Sequence, residues 1–131
     1  MTHSEDIPTN VRQGLDHLSR SEVVTIVTRT KDGRDIPTLI GAVVVDGVAY
    51  VRSQNGDRGK WYHRALRTGT VSFVDGARQF PATVELVTDP AEIRRGEAAT
   101  YQKYGGPLRN VFLKMLLLRT RRYVLRATLL D

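Results

Sequence analysis

Apolar residues recur along this chain with two different periods, and the shorter period predicts six β-strands. Alternating or β-branched runs cover residues 23–28, 35–45, 48–53, 70–74, 80–87 and 123–130. Asp-Gly pairs follow three of these runs and predict tight turns. Pro37 and Gly41 interrupt the second run, which indicates an edge, a bulge or a bend. The last run would close the sheet and hide its edges, so we expect an α+β fold built on a six-stranded antiparallel β-barrel.

The longer period predicts helices around these strands. Thr9 or Asn10 is expected to cap a short N-terminal helix with apolar residues on one face. A second helix is expected over residues 60–68, between the third and fourth strands. Asp57 is its predicted N-cap and Gly69 its predicted end.

Two further helices are expected before the last strand. The sequence DPAE at 89–92 combines an N-cap, a proline in the first turn and an acidic residue at N3, so a helix should begin there and end before Gly105. A last helix is expected over 107–118. Its apolar residues fall at helical spacing at Leu108, Val111, Phe112, Met115 and Leu116. We interpret them as core or dimer interface in preference to the alternative, a membrane-surface role.

Length, charge and cysteine content narrow the class of protein. With 131 residues, we expect one domain over residues 1–131, in which 1–20 form a polar leader and the short helix. The chain has no cysteine, which excludes disulfides and thiolate metal sites. The net charge of +6 favours anionic partners such as phosphorylated cofactors, nucleic acid or acidic membranes. We find no signal-peptide core and no run long enough to span a bilayer, so a cytoplasmic protein is expected.

One stretch, residues 53–67, combines features that suit a phosphate group. Gly56 and Gly59 allow the backbone to turn tightly and to approach a ligand. The following helix would present free N–H groups and the positive end of its dipole. Cationic side chains crowd the same stretch at Arg52, Arg58, Lys60, His63 and Arg64. The alternative interpretation is a surface corner between strand and helix, with solvated charges.

Other site chemistry is sparse in this sequence. None of the three histidines pairs with another at metal-ligand spacing, so no metal site is expected. Ser53 and His63 have no acidic third member, which argues against a hydrolytic triad. A bound cofactor would therefore carry any catalysis. Trp61 has two interpretations: an anchor that holds the second helix to the barrel, or the aromatic lining of a cofactor pocket.

Six segments carry a family resemblance when they are taken together: TRTKDGR at 28–34, IPT at 36–38, DGVAYVRS at 46–53, GKWY at 59–62, ATYQKYG at 99–105 and ATL at 127–129. With them the chain resembles the split β-barrel flavin-binding superfamily, which includes pyridoxamine-phosphate-oxidase-like and deazaflavin-dependent nitroreductase-like proteins. A family of small uncharacterised bacterial proteins within that superfamily is the most similar. The resemblance covers about residues 20–130 and implies a six-stranded split barrel of the FMN-binding type with flanking helices, as a homodimer.

The resemblance also implies a cofactor site, with FMN or a deazaflavin coenzyme as its ligand. The cofactor phosphate would be held by Ser53 and Lys60, with Arg52 and Arg58 nearby. The flat ring would lie against the second and third strands, around Pro37, Thr38 and Gly41, and Trp61 matches the aromatic that opens the helix in deazaflavin-type relatives.

These expectations leave three hypotheses about function. The first is a flavin- or deazaflavin-dependent oxidoreductase that transfers hydride to a small substrate. The second is a non-catalytic split-barrel protein that binds an anionic small ligand, or a relative without cofactor. The third, nucleic-acid binding, is disfavoured because the aromatic residues that such binders interleave with their cations are sparse.

Overall fold

A computed structural model describes residues 7–131, so most of the predicted leader lies outside the described residues. The elements in chain order are α1 (Thr9–Arg20), β1 (Val24–Arg29), β2 (Asp35–Ile40), β3 (Ala42–Val45), β4 (Val48–Arg52), α2 (Lys60–Thr68), β5 (Thr70–Asp75), β6 (Arg78–Leu86), α3 (Pro90–Tyr104), α4 (Arg109–Arg119) and β7 (Val124–Leu129). A short 3-10 turn, Gly56–Arg58, precedes α2. Each of the predicted strands and helices is present.

All seven strands belong to one antiparallel sheet with the order β2-β1-β5-β6-β7-β4-β3. The two outer strands of this order, β2 and β3, are consecutive in the chain and are separated only by Gly41. The expected second strand therefore bends at this glycine, and β2 pairs with β1 while β3 pairs with β4. The predicted count of six strands is corrected to seven for this reason, and the predicted split-barrel fold of the α+β class is confirmed.

The interior of the barrel is a continuous apolar core. Side chains alternate in burial along β1, β5 and β6, and Ile26, Phe73 and Phe80 are at most 1% exposed. Helix α1 closes part of this core with Leu18 and packs so closely at Gly14 that a Cβ there would meet the side chains of Leu129 and Phe80. Helix α2 adds further buried side chains at Trp61, Tyr62 and Ala65. Burial of this apolar surface is the main stabilisation of the fold.

A second apolar cluster lies outside the barrel. Val43, Tyr50 and Val124 are buried between the outward face of β3, β4 and β7 and partly buried apolar residues of α3. Helix α3 starts as predicted, with the Asp89 carboxylate accepting a hydrogen bond from the Glu92 N–H at 3.2 Å. The helix therefore forms an outer layer over one side of the sheet.

Helix α4 is packed much less fully than the sequence suggested. Leu117 is its one buried residue, and Leu113 and Leu116 are half-buried. The apolar face was expected to be core or dimer interface. The core part of this expectation is wrong for most of the face, because its largest side chains point to solvent at Leu108, Val111, Phe112, Met115 and Leu118. The dimer-interface part stays a prediction.

Two predicted helix caps are also wrong, whereas the predicted end of α2 is confirmed. Pro8 occupies the N-cap position of α1, and neither Thr9 nor a neighbour provides a side-chain cap. Gly59 is the N-cap of α2, because Asp57 is already part of the 3-10 turn. At Gly69 the backbone adopts φ 72°, which glycine tolerates, and its N–H bonds to the carbonyl of Ala65 at 2.8 Å.

Candidate functional site

A cavity of about 530 Å³ lies outside the barrel, between the bend of the sheet and the two outer helices. The β2–β3 bend and β4 form its floor, and α3 and α4 form its roof. Its lining is mostly apolar: Val23, Leu39, Ile40, Gly41, Ala42, Val43, Tyr50, Val51, Gly96, Leu113, Leu116, Leu117 and Val124, with Glu22, Arg52, Gln54, Thr100 and Tyr104 as polar or charged neighbours. This volume is within the range of small-molecule sites, about 300–1,000 Å³.

Two glycines help to keep this cavity open. Gly41 forms the bend of the floor, where a Cβ would come within 3.0 Å of the Tyr104 hydroxyl. Gly96 lies in the middle of α3, where a Cβ would meet only Cγ of Tyr50, at 3.9 Å. The first position excludes a larger side chain without movement, and the second leaves room that an alanine would fill.

Arg52 provides the positive charge of the cavity. Its side chain, at the end of β4, is half-buried and donates from Nη1 to the carbonyl and hydroxyl oxygens of Thr120, both at 3.2 Å. Desolvation lowers the pKa of Arg52, and the nearby carboxylate of Glu97 opposes that shift. A guanidinium remains charged in proteins, so a partly desolvated cation faces the cavity and favours an anionic group there.

A buried polar network attaches α3 to the sheet beside the cavity. The Tyr50 hydroxyl donates to Oε2 of Glu92 at 2.7 Å, and Arg126 donates two hydrogen bonds to the same carboxylate at 2.7 and 2.8 Å. The bonds from Arg126 lower the pKa of Glu92 to about 2, against the partly opposing effect of burial. Desolvation and the bond to Glu92 raise the pKa of Tyr50, so this phenol stays protonated and acts as a fixed donor.

The C-terminal end of α3 is attached to the bend of the sheet. Lys103 donates from Nζ to the carbonyls of Leu18 and Ala42 at 2.8 and 2.5 Å, and the Tyr104 hydroxyl donates to the carbonyl of Glu22 at 2.8 Å. Desolvation lowers the pKa of Lys103 and raises that of Tyr104. These bonds occupy both side chains and fix the roof of the cavity against its floor.

The loop predicted to hold a phosphate is well ordered by its own contacts. Ser53 is fully buried, and its hydroxyl donates to the carbonyl of Gly56 at 2.8 Å. Gly59 lies directly against this hydroxyl, which leaves no room for a Cβ. Arg58 and Lys60 are exposed beside it. The Ser53 hydroxyl is therefore used to shape the loop, whereas the two cations point to solvent.

The other predicted site residues lie apart from this loop. Trp61 is 7% exposed and belongs to the barrel core, which matches its interpretation as an anchor. Pro37 is exposed on β2 opposite Val27, and Thr38 is half-buried opposite Ile26. Of the eight residues that the resemblance placed at the cofactor site, Gly41 and Arg52 line the cavity.

Sequence reasoning missed most of the polar residues of the cavity. Tyr50, Tyr104 and Gln54 lie in segments that were assigned as strand, helix packing and loop, respectively. Tyr50 and Tyr104 carried one usable signal, because both fall inside segments that carried the family resemblance. Their convergence depends on α3 folding back over β3 and β4, which no local pattern reveals.

Two features are absent from the described part of the chain. Within residues 7–131, no group of three or more His, Asp or Glu side chains is arranged to hold a metal ion. No helix among those residues is long and apolar enough to cross a membrane.

These features define the class of protein. A curled antiparallel sheet whose two edges are consecutive segments of chain, with helices over its outer face, is a split β-barrel, the fold that the sequence resemblance predicted. The chain belongs to the DUF2255 family, described as uncharacterized proteins conserved in bacteria, whose model matches residues 14–127. No curated protein sequence matches the chain.

Solved structures with the same fold have diverse descriptions. A conserved hypothetical protein, Rv2991 from Mycobacterium tuberculosis, is 20% identical with a TM-score of 0.67, over 97% of this chain and 79% of that one. HutZ, the heme storage protein from Vibrio cholerae, is 12% identical with a TM-score of 0.70, over 92% and 89%. An F420-H2-dependent reductase, FDR-A, is 17% identical with a TM-score of 0.59, over 81% and 92%. At these identities the likeness concerns the fold alone.

Proposed function

We propose that this protein is an oxidoreductase that binds a flavin or deazaflavin cofactor in the outer cavity and transfers hydride to a small substrate. The observation that carries the proposal is the combination of an apolar cavity of about 530 Å³ with the half-buried guanidinium of Arg52 at its wall. An apolar space with few polar groups is typical of sites for planar cofactors.

The apolar part of the cavity fits a flat ring system. Leu39 and Val43 lie on the floor on either side of the bend, and Leu113 and Leu116 face them from α4. The bend at Gly41 belongs to the segment where the family resemblance places the ring. These side chains would bind and orient the ring by contact and would exclude water from one of its faces.

The charged part of the site fits a phosphate. Arg52 would provide a charge-assisted hydrogen bond, which is stronger than a bond between neutral groups. No side chain caps α2, so the N–H groups of its first turn remain donors, and exposed Lys60 begins the helix. Ser53 would act indirectly, because its hydroxyl holds the loop through Gly56.

The protein side chains around the cavity are suited to positioning. The hydroxyls of Tyr50 and Tyr104 are protonated and already donate to acceptors, and the described lining has no histidine. The cofactor, when bound, would supply the hydride chemistry that these side chains lack. The same absence gives no support to a heme ligated by histidine, since neither His17 nor His63 lines the cavity.

A second function uses the same residues without redox chemistry. Arg52 and the apolar lining also suit a non-catalytic protein that binds an anionic small ligand. The two functions differ in one requirement, because only the first needs a redox-active ring.

Titration of the purified protein with FMN and with the deazaflavin coenzyme tests the proposal, with absorbance and fluorescence as readouts. We expect one of them to bind, and Arg52→Met to weaken binding about tenfold or more, as expected for a lost charged hydrogen bond of roughly 1.5–3 kcal/mol. Lys60→Ala should weaken it to a smaller extent, because Lys60 is exposed. Arg34→Met, a surface control paired with Asp32, should change nothing.

If neither cofactor binds, the proposed oxidoreductase function is excluded and the alternative, a non-catalytic protein that binds an anionic ligand, remains. Binding that Arg52→Met does not weaken would move the site away from this cavity. The homodimer implied by the resemblance stays a prediction, and light scattering of the purified protein tests it.

A further inference from the structure

The outward side of α4 carries a long apolar stripe. Leu108, Val111, Phe112, Met115 and Leu118 are between 55% and 85% exposed. Their spacing places them along one face of the helix, which is the pattern of a docking surface rather than of scattered exposed residues. None of the five lies in the floor or roof of the cavity described above.

Cations border this stripe. Arg109 and Lys114 lie on its two sides by helical spacing, and Arg119 lies at its C-terminal end. Arg119 also lines a neighbouring groove of about 670 Å³ together with Leu118 and three more arginines, Arg94, Arg121 and Arg122. The stripe and the arginine groove are therefore one continuous surface, which we call the α4 surface.

Helix α4 carries no acidic residue, and the exposed carboxylate beside the groove is Asp89, between the lining residues Thr88 and Pro90. The sequence contains no acidic residue between Glu97 and Asp131. Among the described arginines of the groove, Arg121 is the one that forms an ion pair, with Glu97 at 2.7 Å. The remaining cations face solvent together, and this concentration of like charge calls for an anionic partner.

We propose that the α4 surface docks the protein on an anionic phospholipid membrane. An apolar stripe bordered by arginine and lysine is the chemistry of helices that lie in the membrane interface, where the apolar side chains enter the headgroup boundary. Arg94, Arg119 and Arg122 would contact lipid phosphates, and each such cation strengthens attachment to an anionic leaflet. Helix α4 has 11 residues, so it would lie on the surface and not cross it.

Charge argues against a second copy of this chain as the occupant. A two-fold interface brings the same patch of both protomers together. Arg109, Lys114 and Arg119 would then meet the same cations of the other protomer, with no acidic residue on α4 to compensate them. An anionic lipid surface offers the complementary charge that a second copy lacks.

Co-sedimentation with lipid vesicles tests this proposal. The protein should bind vesicles that contain phosphatidylglycerol, should bind phosphatidylcholine vesicles weakly or not at all, and should dissociate as salt is raised. The double variant Arg94→Gln/Arg122→Gln should weaken vesicle binding about 25-fold, because the loss of each arginine should weaken it about fivefold. Phe112→Ser/Met115→Ser should weaken it at least about tenfold through lost apolar contact.

Matched controls carry the same chemical changes elsewhere. Lys31→Gln/Arg34→Gln removes the same net charge from the β1–β2 turn, and Leu130→Ser removes an exposed apolar side chain near the C-terminus. Both controls should bind like the wild type. Circular dichroism of every variant checks folding, which should persist because the changed side chains are exposed.

Three outcomes would overturn the proposal. The first is equal binding to both kinds of vesicle, and the second is binding of tripolyphosphate without any association with vesicles. The third is a wild-type dimer, seen by light scattering, that Phe112→Ser/Met115→Ser converts to a monomer. Cofactor binding is unaffected by any of these results, because the α4 surface and the cavity use different residues.

Discussion

The inside of the barrel and the layer outside it are built from similar residues but are packed differently. Inside, Ile26, Phe73 and Phe80 are almost completely buried, and α1 approaches so closely that Gly14 cannot carry a side chain. Outside, α3 and α4 leave a cavity of about 530 Å³ over the bend of the sheet. The cavity and the charge of Arg52 at its wall both belong to the outer layer.

The difference also extends to how each region is held together. The barrel interior is filled mainly by apolar side chains, whereas the outer layer is attached by side-chain hydrogen bonds from Tyr50, Arg126 and Lys103. These directional bonds hold α3 in a fixed position over the sheet without filling the space between them. The outer layer can therefore keep a cavity whose walls have a defined geometry. The barrel therefore stabilises the protein, and the proposed cofactor site lies in the outer layer.

The largest expected effect separates the two regions by stability. Phe73→Ala, inside the barrel, should lower the free energy of unfolding by about 3–5 kcal/mol because it leaves a cavity in a filled core. Leu116→Ala, in the roof of the outer cavity, should cost less than about 1.5 kcal/mol, since this side chain is only half-buried. Guanidinium denaturation measures both, and equal losses would contradict the comparison.

The loop before α2 offers a second test, because its shape depends on one close contact. Gly59→Ala places a methyl group against the Ser53 hydroxyl and should destabilise the protein by about 1–3 kcal/mol. Adding Ser53→Ala removes the clashing atom, so the double variant should be more stable than Gly59→Ala alone. Additive losses in thermal denaturation would show that the contact does not govern the loop.

The ionic attachment of α3 predicts a pH dependence. The pKa of Glu92 is lowered from 4.5 to about 2 in the folded protein. The ionised carboxylate therefore stabilises the fold fully when the pH is above the pKa of Glu92 in the unfolded chain, and this stabilisation is lost as the pH falls towards 2. Glu92→Gln should cost on the order of 2 kcal/mol at neutral pH and should flatten the loss of stability between pH 5 and pH 2. Urea denaturation across this range measures both; an unchanged pH profile would exclude Glu92 as its source.

The smallest expected effect is an increase in stability rather than a loss. Gly96→Ala in α3 should raise the free energy of unfolding by about 0.5–1 kcal/mol, since alanine favours helix and its Cβ meets only Tyr50 at 3.9 Å. The added methyl group also enters the cavity, so ligand affinity should fall while stability rises. A variant that is more stable and binds equally well would show that this part of the cavity is not used.

The strands and turns of the barrel could be predicted from the sequence because each of them is determined by residues that are close together in the chain. Strand alternation, the Asp-Gly turns and the cap at Asp89 all depend on residues close in the chain, and the bend at Gly41 was visible as an interruption of one strand. The start of α2 was predicted wrongly. Asp57 lies just before the helix and is a residue type that often caps helices, but it belongs to the 3-10 turn, and Gly59 is the N-cap.

The candidate site was much less accessible from sequence. The composition of the loop near Ser53 suggested a phosphate site. In the structure, however, the Ser53 hydroxyl donates its hydrogen bond to the carbonyl of Gly56 within the loop. The cavity combines the segment from Leu39 to Arg52 with α4 residues such as Leu113, which lies about sixty residues further along the chain. Two predicted site residues also line the cavity: Arg52, near the end of a predicted strand, and Gly41, where another predicted strand bends.

The most direct measurement is a crystal structure of the protein grown with whichever of FMN or the deazaflavin coenzyme binds more tightly. The account predicts a ring between the β2–β3 bend and α4, in contact with Leu39 and Leu113, and a phosphate bonded to Arg52. A ring bound elsewhere on the protein, with the outer cavity empty and Arg52 still bonded only to Thr120, would contradict it.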